Sequence, residues 1–407
     1  MKTCSAKVVV VGSGFAGIEV IQTLKKRRVP VEITLVTKDP IFQYYPALYK
    51  LVTGALPIEV SVPVTDILHQ VHMIEGEFTA LDQSAQTITI NTKEGIQVQQ
   101  YDYLVLALGS ETNFFNIQGL PELSYSFKSV DTALKLKRHF CDIMGKAKTA
   151  TKEDAVKLLH VLIVGGGPSG VELAGDLRSY LTRLAQEFAV DPSFVTIDLI
   201  EANARVLPTL PETVSKKVEA RLRKMGVNIF VNRALASQEV EEVMLKDMSV
   251  DSHTVIWTAG TRINSVYTTL QNITLDERKR VMVTDTLTLP SDNHIFIAGD
   301  GAGTLYSGLA QTAIEHGKYV ARAIETLEYC ETPKPFVPTR PTFVIPVGVG
   351  WAVLNYKNFS VTGWIPYILR SLVDFRYFTH IVPLSYVFSV FQKGKKYRKV
   401  KGGCALE

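Results

Sequence analysis

Two stretches of the chain decide its fold: residues 7–19, KVVVVGSGFAGIE, and residues 160–172, HVLIVGGGPSGVE. Each is an apolar run without alternation, followed by a GxGxxG glycine pattern and an amphipathic helical pattern. An uninterrupted apolar run is typical of a strand buried on both faces of a parallel sheet. A second strand pattern follows each helix, at residues 31–36 and 195–200. We therefore predict two complete β-α-β units in one chain.

The three glycines of each unit have separate physical roles. The first (Gly12, Gly165) allows a tight turn from strand to helix, and the second (Gly14, Gly167) lets the backbone approach a pyrophosphate. The third (Gly17, Gly170) lets the helix pack closely on its strand. The helix N-terminus then offers free N–H groups and a partial positive charge to phosphate groups. The pattern in this context predicts two dinucleotide sites.

The residue that ends the second strand of such a unit normally binds a ribose. In the second unit this residue is Glu201, whose carboxylate accepts hydrogen bonds from ribose hydroxyls and repels a 2′-phosphate, which favours NADH over NADPH. Arg205 lies nearby and weakens that preference. In the first unit Thr37 and Lys38 occupy the position where an acid is expected, and the sequence does not assign their contacts.

Composition excludes several classes of protein. With 46% hydrophobic and 21% charged residues in 407, the chain is a globular protein of two to three domains. A net charge of +4 is too small to indicate nucleic-acid binding. The four cysteines are far apart and form no CxxC, which argues against a disulfide scaffold, a zinc ribbon or a neighbouring dithiol pair, and is compatible with a reducing compartment. We expect no signal peptide and no transmembrane helix.

Residues 364–392 are rich in aromatic and branched apolar side chains, interrupted only by Arg370, Asp374, Arg376 and His380. Pro383 should divide this segment into two helical pieces. Residues 393–401, KGKKYRKVK, add six basic residues in nine. Such a segment suits the boundary of a bilayer with anionic lipid. The alternatives are that this segment is a dimerisation helix or that it covers the domain built from the first β-α-β unit. No sequence motif supports nucleic-acid binding by the basic residues.

With these motifs in view, the chain resembles the flavoproteins that carry two dinucleotide-binding domains, and among them the type II NADH:quinone oxidoreductases. The resemblance rests on FQYYPALY at residues 42–49, YDY at 101–103 leading into ALGS at 107–110, IFIAGD at 295–300 and AQTAIEHG at 310–317. It extends from about residue 7 to residue 400. It implies bound FAD, NADH as reductant, a membrane quinone as acceptor and no metal.

The resemblance also implies site residues. Glu172, Gln311 and Glu315 would be the catalytic residues, and His316 is a further candidate for proton transfer. Glu19 occupies the position of the first unit that matches Glu172, which shows that a glutamate there can be structural. The cofactor contacts implied are Gly12, Ser13, Gly14, Phe15, Ala16, Gly17, Thr37, Lys38, Tyr44, Phe78, Gly109, Asp300, Ala310, Gln311 and Lys393 for FAD and the acceptor side, and Gly165, Gly167, Gly170, Glu201 and Gly260 for NADH.

Two positions depart from the family pattern. Glu315 stands where the family usually has Gln, and Gly301-Ala302 stand where it usually has Cys-Ala. Asp300 could also cap the helix that follows it. Disulfide reductases of this superfamily carry a redox-active cysteine pair soon after the first unit, yet this chain has no cysteine between Cys4 and Cys141.

We therefore predict an α/β protein with an FAD domain at residues 1–115 and 290–335, an NADH domain at 116–289 and a membrane-associating or dimerising C-terminal region at 336–405. The predicted function is a dimeric peripheral flavoenzyme on the cytoplasmic face of the membrane that passes electrons from NADH to a quinone without pumping protons. The alternatives are a soluble NAD(P)H-dependent reductase, an enzyme like sulfide:quinone oxidoreductase, and a redox-sensing binding module.

Overall fold

The computed structural model describes residues 5–239, 242–245, 248–357, 359–388, 390 and 404. The described helices are α1 (Phe15–Arg27), α2 (Leu48–Val52), α3 (Val64–Ile67), α4 (Leu120–Leu123), α5 (Val130–Ala147), α6 (Lys152–Leu158), α7 (Pro168–Phe188), α8 (Glu212–Lys224), α9 (Ala310–Glu328) and α10 (Trp364–Ile381).

The described strands are β1 (Ala6–Val11), β2 (Val31–Thr37), β3 (Ile41–Gln43), β4 (Ser61–Pro63), β5 (His72–Asp82), β6 (Thr87–Thr92), β7 (Gly95–Gln100), β8 (Tyr103–Leu106), β9 (Ser110–Thr112), β10 (His160–Val164), β11 (Thr196–Ile200), β12 (Val227–Phe230), β13 (Leu235–Gln238), β14 (Glu242–Leu245), β15 (Met248–Asp251), β16 (Thr254–Trp257), β17 (Thr261–Ile263), β18 (Thr288–Leu289), β19 (Asp292–Ile297), β20 (Phe343–Pro346), β21 (Ala352–Tyr356) and β22 (Phe359–Gly363).

The chain divides into two compact units. Unit 1 comprises the residues up to Gln43, Val62–Thr112 and Thr261–Pro341. Unit 2 comprises Tyr44–Ser61, Asn113–Gly260 and the residues from Thr342 onward.

Unit 1 is built on an eight-stranded sheet in the order β18-β19-β8-β1-β2-β5-β6-β7. Strands β19, β8, β1, β2 and β5 run parallel, and β5, β6 and β7 continue as an antiparallel meander. β1 lies in the middle, and Val8, Val9 and Val10 are fully buried, as their apolar run predicts. The strand order reverses beside β1, so the crevice at the carboxyl ends of β1 and β8 is where such sheets bind ligands.

Unit 2 repeats this plan on a smaller scale. Its parallel sheet has the order β12-β11-β10-β16, with β10 in the middle and α7 following it. Two three-stranded antiparallel sheets, β13-β14-β15 and β20-β21-β22, complete the described sheets of this unit. The predicted α/β class with two Rossmann-like units is confirmed.

The observed division differs from the predicted boundaries in several places. Residues 261–289, which we assigned to the NADH domain, belong to unit 1, because Ile263, Tyr267, Leu270 and Val281 are buried in the same core as the strands of its sheet. Residues 44–61 and the C-terminal region belong to unit 2. Helix α2 packs there against α5 and α7, and α10 packs against β20 and β21.

The C-terminal region breaks where Pro383 predicts a break. Helix α10 ends at Ile381, and residues 384–388 form a further helical segment. In the part of the chain that the structure describes, no helix combines the length and the apolar character needed to cross a membrane. A disulfide joins Cys141 of α5 to Cys404, across a sequence separation of 263. This pair is not predictable from the sequence, because neither cysteine has a neighbour at a recognisable spacing.

Candidate functional site

The first glycine turn of unit 1 is shaped as a phosphate cradle requires. Gly12 has a φ of +107°, and a Cβ on it would lie 2.3 Å from the Ala107 carbonyl oxygen. A Cβ on Gly17 would lie 1.9 Å from the Gly12 carbonyl oxygen. A Cβ on Gly14 would meet no atom within 4 Å, and no side chain caps the N-terminus of α1. The turn is therefore tight toward the protein and open toward a ligand, so it fits the pyrophosphate of a dinucleotide.

The second turn, in unit 2, has the same design. Gly165 has a φ of +117°, and a Cβ on Gly170 would lie 1.9 Å from the Gly165 carbonyl oxygen. A Cβ on Gly167 would again meet nothing within 4 Å. The Thr258 hydroxyl donates to the carbonyl oxygens of Val164 and Gly165, at 2.9 and 3.0 Å, and so ties the end of β16 to this turn.

Glu201 stands at the ribose position of unit 2 and is buried. Its Oε2 accepts a hydrogen bond from the Gly166 N–H at 2.7 Å, and its Oε1 accepts from the backbone N–H and side-chain amide of Asn203. Arg205 is not free to bind a 2′-phosphate. Its guanidinium donates to the carbonyl oxygens of Leu207, Pro208 and Leu210 and to the Ser215 hydroxyl. The Arg205 guanidinium is thus held by the backbone of its own loop and by Ser215.

The corresponding position of unit 1 is arranged differently. The Thr37 hydroxyl lies 2.9 Å from the Ser13 hydroxyl and donates to the Asp39 carbonyl oxygen. The exposed Lys38 forms an ion pair with Glu77 on β5, at 2.8 Å. The contact between Thr37 and Ser13 thus joins the end of β2 to the glycine cradle, and Lys38 lies at the surface beside them.

Three further predicted residues of unit 1 meet at the carboxyl ends of its strands. The Ser110 hydroxyl, which follows Gly109, donates to Asp300 Oδ2 at 2.6 Å. Asp300 follows Gly299, whose φ is +75° and whose absent Cβ would lie 3.5 Å from the Ala16 Cβ. Asp300 is therefore beside the glycine cradle. Phe15 is buried there with its ring edge-on to Phe42.

Helix α9 begins beside this turn with Ala310. The Gln311 side-chain amide donates to Glu315 Oε1 at 3.3 Å, so these two predicted residues form an i,i+4 pair on one helix face. The buried Thr312 hydroxyl has no hydrogen-bond partner among the described residues. A buried hydroxyl without a partner is costly and indicates that a polar ligand group belongs beside it.

His316 also lies on α9 and is fully buried. Its Nδ1 accepts from the Gly299 N–H at 3.1 Å, and its Nε2 is 3.1 Å from the Thr304 hydroxyl. Burial lowers the pKa of this imidazole to about 4. A neutral ring with both nitrogens engaged is a poor proton donor at neutral pH, which argues against the proton-handling role considered from the sequence.

Glu172 lies on α7 in unit 2 and is buried with a charged cluster. Its Oε1 is 3.7 Å from Arg370 Nη1 of α10. Arg370 Nε lies 3.0 Å from Asp374 Oδ1, at an angle that makes the contact an ion pair rather than a hydrogen bond. Burial raises the pKa of Glu172 to about 8, and Arg370 and Lys50 only partly offset this. The carboxyl therefore holds a proton at neutral pH.

The same cluster includes Tyr44 and Lys50. The Tyr44 hydroxyl donates to Asp374 Oδ1 at 2.7 Å, and the Lys50 ammonium donates to Asp374 Oδ2 at 3.0 Å. Sequence reasoning did not assign a role to Lys50, Arg370 or Asp374. The available signal was the spacing of Arg370 and Asp374, one helical turn apart in an otherwise apolar segment.

A cavity of about 340 Å³ opens beside this cluster, entirely within unit 2. Its polar lining includes Lys50, Asp176, Arg370 and Asp374. Its apolar and aromatic wall comes from α10 and the segment after it, with Tyr367, Phe375, Phe378, Tyr386, Val387 and Val390.

The remaining predicted contacts are placed as follows. Phe78 is buried in the hydrophobic core of unit 1 with Ile88 and Ile90. Gly260 makes room for the Phe115 ring, 2.5 Å from where a Cβ would be, and its carbonyl accepts from the Asn113 N–H. Lys393 lies outside the described residues. Within the described ranges no group of three or more His, Cys, Asp or Glu residues is placed to hold a metal ion.

Comparison with known proteins identifies the class. Residues 6–317 match the sequence model of the pyridine nucleotide-disulphide oxidoreductases, so the chain belongs to this family. The resemblance to its type II NADH:quinone oxidoreductases is confirmed. The chain is 29% identical to one from Mycobacterium tuberculosis over 335 residues, covering 78% of this chain and 72% of that protein. It is 26% identical to one from Staphylococcus haemolyticus over 405 residues, covering 96% and 98%.

Solved structures share the fold. NDH2 from Plasmodium falciparum in complex with NADH superposes with a TM-score of 0.87 at 18% identity, covering 98% of this chain and 99% of that one. The sulfide:quinone oxidoreductase of Aquifex aeolicus superposes with a TM-score of 0.75 at 17% identity, covering 98% and 96%.

Proposed function

We propose that the protein is a flavoenzyme that oxidises NADH through bound FAD and reduces a membrane quinone without pumping protons. The observation that carries this proposal is the pair of glycine cradles, each tight toward its own sheet and open toward a ligand. The names of the relatives supply the class of acceptor. FAD, when bound, accepts hydride from NADH and delivers electrons to the acceptor.

The cradle of unit 1 holds FAD and that of unit 2 holds NADH. Residues 12–17 would hold the FAD pyrophosphate at the N-terminus of α1, and Asp300 would accept hydrogen bonds on the ribityl side. In unit 2, residues 165–170 bind the NADH pyrophosphate and Glu201 binds the ribose. A carboxylate already fixed by Gly166 and Asn203 is preorganised for those hydroxyls and repels a 2′-phosphate.

Glu172 supplies a proton to the acceptor. Reduction of a quinone consumes two protons, and a carboxyl whose pKa burial raises to about 8 is protonated and able to donate near neutral pH. Arg370 then stabilises the carboxylate that remains, from 3.7 Å. Gln311 and Glu315 contribute polar contacts to the acceptor.

The arrangement of side chains on helix α10 favours a membrane as the source of the acceptor. Two charged residues of this helix face the protein, and many of its apolar residues face solvent. Its charged residues Arg370 and Asp374 point inward to Glu172 and Lys50. Large apolar side chains on the opposite face are exposed to solvent, among them Trp364, Ile365, Ile368, Leu372 and Val373. Exposed apolar surface of this extent marks an interaction site, and we assign it to the cytoplasmic surface of a bilayer. We further propose that the enzyme acts as a homodimer.

A soluble reductase is the alternative that the fold also permits. A sulfide:quinone oxidoreductase needs reactive cysteines, whereas Cys141 is in a disulfide and Cys330 is exposed on the far end of α9. Turnover with NADH and either a short-chain quinone or ferricyanide separates the candidates. We expect reduction of both acceptors, and reduction of ferricyanide alone would contradict the quinone assignment.

The role of Glu172 is tested by Glu172→Gln, with Glu19→Gln as the control at the matching position of the first unit. Loss of a general acid lowers turnover by about 100-fold or more. We therefore expect Glu172→Gln to lose quinone turnover by that order while NADH still reduces the flavin. Equal quinone turnover in Glu172→Gln and wild type would exclude the proton-donor role.

A further inference from the structure

His316 is a polar side chain buried in unit 1, on a helix face that otherwise packs against the protein. It belongs to the buried face of α9, together with Thr312, Ala313, Gly317 and Val320. Gly317 allows α9 to approach α1 closely, since a Cβ there would lie 2.6 Å from the Ala16 carbonyl oxygen. The imidazole is therefore held rigidly beside the helix that carries the first glycine cradle.

The His316 ring accepts a hydrogen bond from a backbone N–H group, that of Gly299, which has no hydrogen-bond partner in the sheet. Strand β19 ends at Ile297, and Ala298 makes the last sheet-like contact, from its N–H to the Leu106 carbonyl oxygen. The next N–H, that of buried Gly299, donates to His316 Nδ1 at 3.1 Å. A buried N–H left without an acceptor costs free energy comparable to a lost hydrogen bond.

This contact fixes the tautomer of the ring. Because Nδ1 accepts a hydrogen bond from the Gly299 N–H, the ring hydrogen resides on Nε2, which donates to the Thr304 hydroxyl at 3.1 Å. Thr304 Oγ1 in turn lies 2.8 Å from the Ser307 hydroxyl. The Phe336 ring closes the site, edge-on at 4.9 Å. A single neutral side chain thus links the turn before Asp300 to the loop that leads into α9.

We propose that His316 is a positioning residue of the flavin site, whose neutral imidazole holds the Gly299 N–H and thereby fixes the turn that presents Asp300 to FAD. This inference rests on the proposed contact between Asp300 and FAD, but not on the identity of the acceptor. The sequence alone pointed to no such role, because a histidine after Glu315 has no visible partner until the strand end at Gly299 is placed beside it.

Two conservative variants separate the two ring nitrogens. In His316→Asn the side-chain oxygen replaces Nδ1 as the acceptor for Gly299, whereas in His316→Gln the side-chain amide replaces Nε2 as the donor to Thr304. His316→Leu removes both functions. Each holoenzyme is compared for the rate of FAD release on dilution, the flavin absorption spectrum and the flavin midpoint potential, without any quinone present.

We expect His316→Asn to keep the spectrum, the potential and the release rate of wild type within about 3-fold. His316→Gln and His316→Leu should release FAD faster by about 5-fold to 150-fold, as expected when a buried donor loses its acceptor. The proposal is overturned if His316→Gln matches wild type while His316→Asn does not, or if none of the variants differs. Because no quinone is used, failure of the quinone assignment would leave these readings unchanged.

Discussion

At the residue scale, the Glu201 carboxylate is held by three hydrogen bonds from Gly166 and Asn203. Glu201→Gln keeps the shape but removes the charge that repels a 2′-phosphate. We expect the ratio of kcat/KM for NADH to that for NADPH to fall by about 10-fold or more. The free energy of this change is that of one hydrogen bond to a charged group. Flavin reduction by the two nucleotides measures this ratio. Glu153→Gln, at an exposed carboxylate of α6, is the control, and an unchanged ratio in Glu201→Gln would contradict the assignment.

Glu172 should make the stability of the protein depend on pH. Burial raises its pKa from 4.5 to about 8, and the pKa of nearby Asp176 to about 6. The folded protein therefore binds more protons than the unfolded chain between these values. The stabilisation is fully present below about pH 4.5 and is lost as the pH rises through 8, at up to about 1.4 kcal/mol per pH unit for each group.

Urea unfolding at a series of pH values tests this dependence. We expect Glu172→Gln to flatten the fall in stability toward pH 8, because the amide stays neutral. Glu153→Gln should follow the wild-type profile. A wild-type profile and a Glu172→Gln profile that run parallel would show that folding does not shift the pKa of Glu172.

At this scale the sequence predicts the role of a residue when the residues around it in the fold are also close to it in the sequence. The glycines of both cradles, Glu201 and Asp300 follow from strand, turn and helix patterns within about 40 residues of chain. The cluster around Glu172 could not be predicted, since Lys50, Glu172 and Arg370 come from distant segments and meet only in the folded unit 2. The contacts of His316 with Gly299 and Thr304 could not be predicted for the same reason.

At the scale of elements, Gly317 sets the distance between α1 and α9. A Cβ on Gly317 would lie 2.6 Å from the Ala16 carbonyl oxygen and 2.7 Å from the Glu19 Cβ. Gly317→Ala must push the two helices apart, and overpacking of this kind costs about 1–3 kcal/mol. We expect lower resistance to urea and faster FAD release.

Gly145 in α5 provides the matched control. A Cβ there would have only an ordinary contact, 3.8 Å from the Phe188 ring. Because alanine is a better helix former than glycine, Gly145→Ala should stabilise the protein by up to about 1 kcal/mol. If both variants change stability equally, close packing at Gly317 is not the cause.

The arrangement of side chains on α10 makes a second prediction at this scale. Ile368→Glu together with Leu372→Glu should weaken binding to anionic vesicles by at least about 10-fold, because each buried apolar side chain contributes roughly 1.5–3 kcal/mol. NADH:ferricyanide turnover should persist. Ile96→Glu, at another exposed isoleucine on β7 of unit 1, is the control. Equal vesicle binding by the α10 variant and the control would argue against a membrane role for α10.

The elements themselves were largely predictable. The strands and helices of the two β-α-β units appear in the predicted order, and the second strand of each unit matches its predicted range to within one residue at each end, because buried apolar runs and glycine turns are local signals. The orientation of α10 was not predictable. Its charged residues read as interruptions of an apolar face, whereas in the structure they point to partners on other helices of unit 2.

At the scale of the whole molecule, the disulfide between Cys141 and Cys404 closes most of the chain after α5 into one loop. Such a cross-link contributes roughly 2–4 kcal/mol by limiting the unfolded state. We expect Cys141→Ser to lower the urea midpoint of the oxidised protein, whereas Cys330→Ser should not. Equal midpoints for Cys141→Ser and wild type without reductant would mean that the bond does not form.

The boundaries of the two units were the least predictable large-scale feature. Composition shows no linker at residue 260, and the return of the chain to unit 1 depends on β17 pairing with β9. Likewise α2 lies early in the sequence but packs with α5 and α7 of unit 2. Pairings between distant segments of this kind leave no periodic trace in a single sequence.

Anaerobic titration of the purified protein with NADH, followed by a quinone, tests the central claim most directly. If each glycine cradle holds its dinucleotide, the protein is yellow, one equivalent of NADH bleaches the flavin absorption, and a short-chain quinone restores it. A folded protein that is colourless and takes up no FAD, or a flavin that NADH does not bleach, would contradict the account.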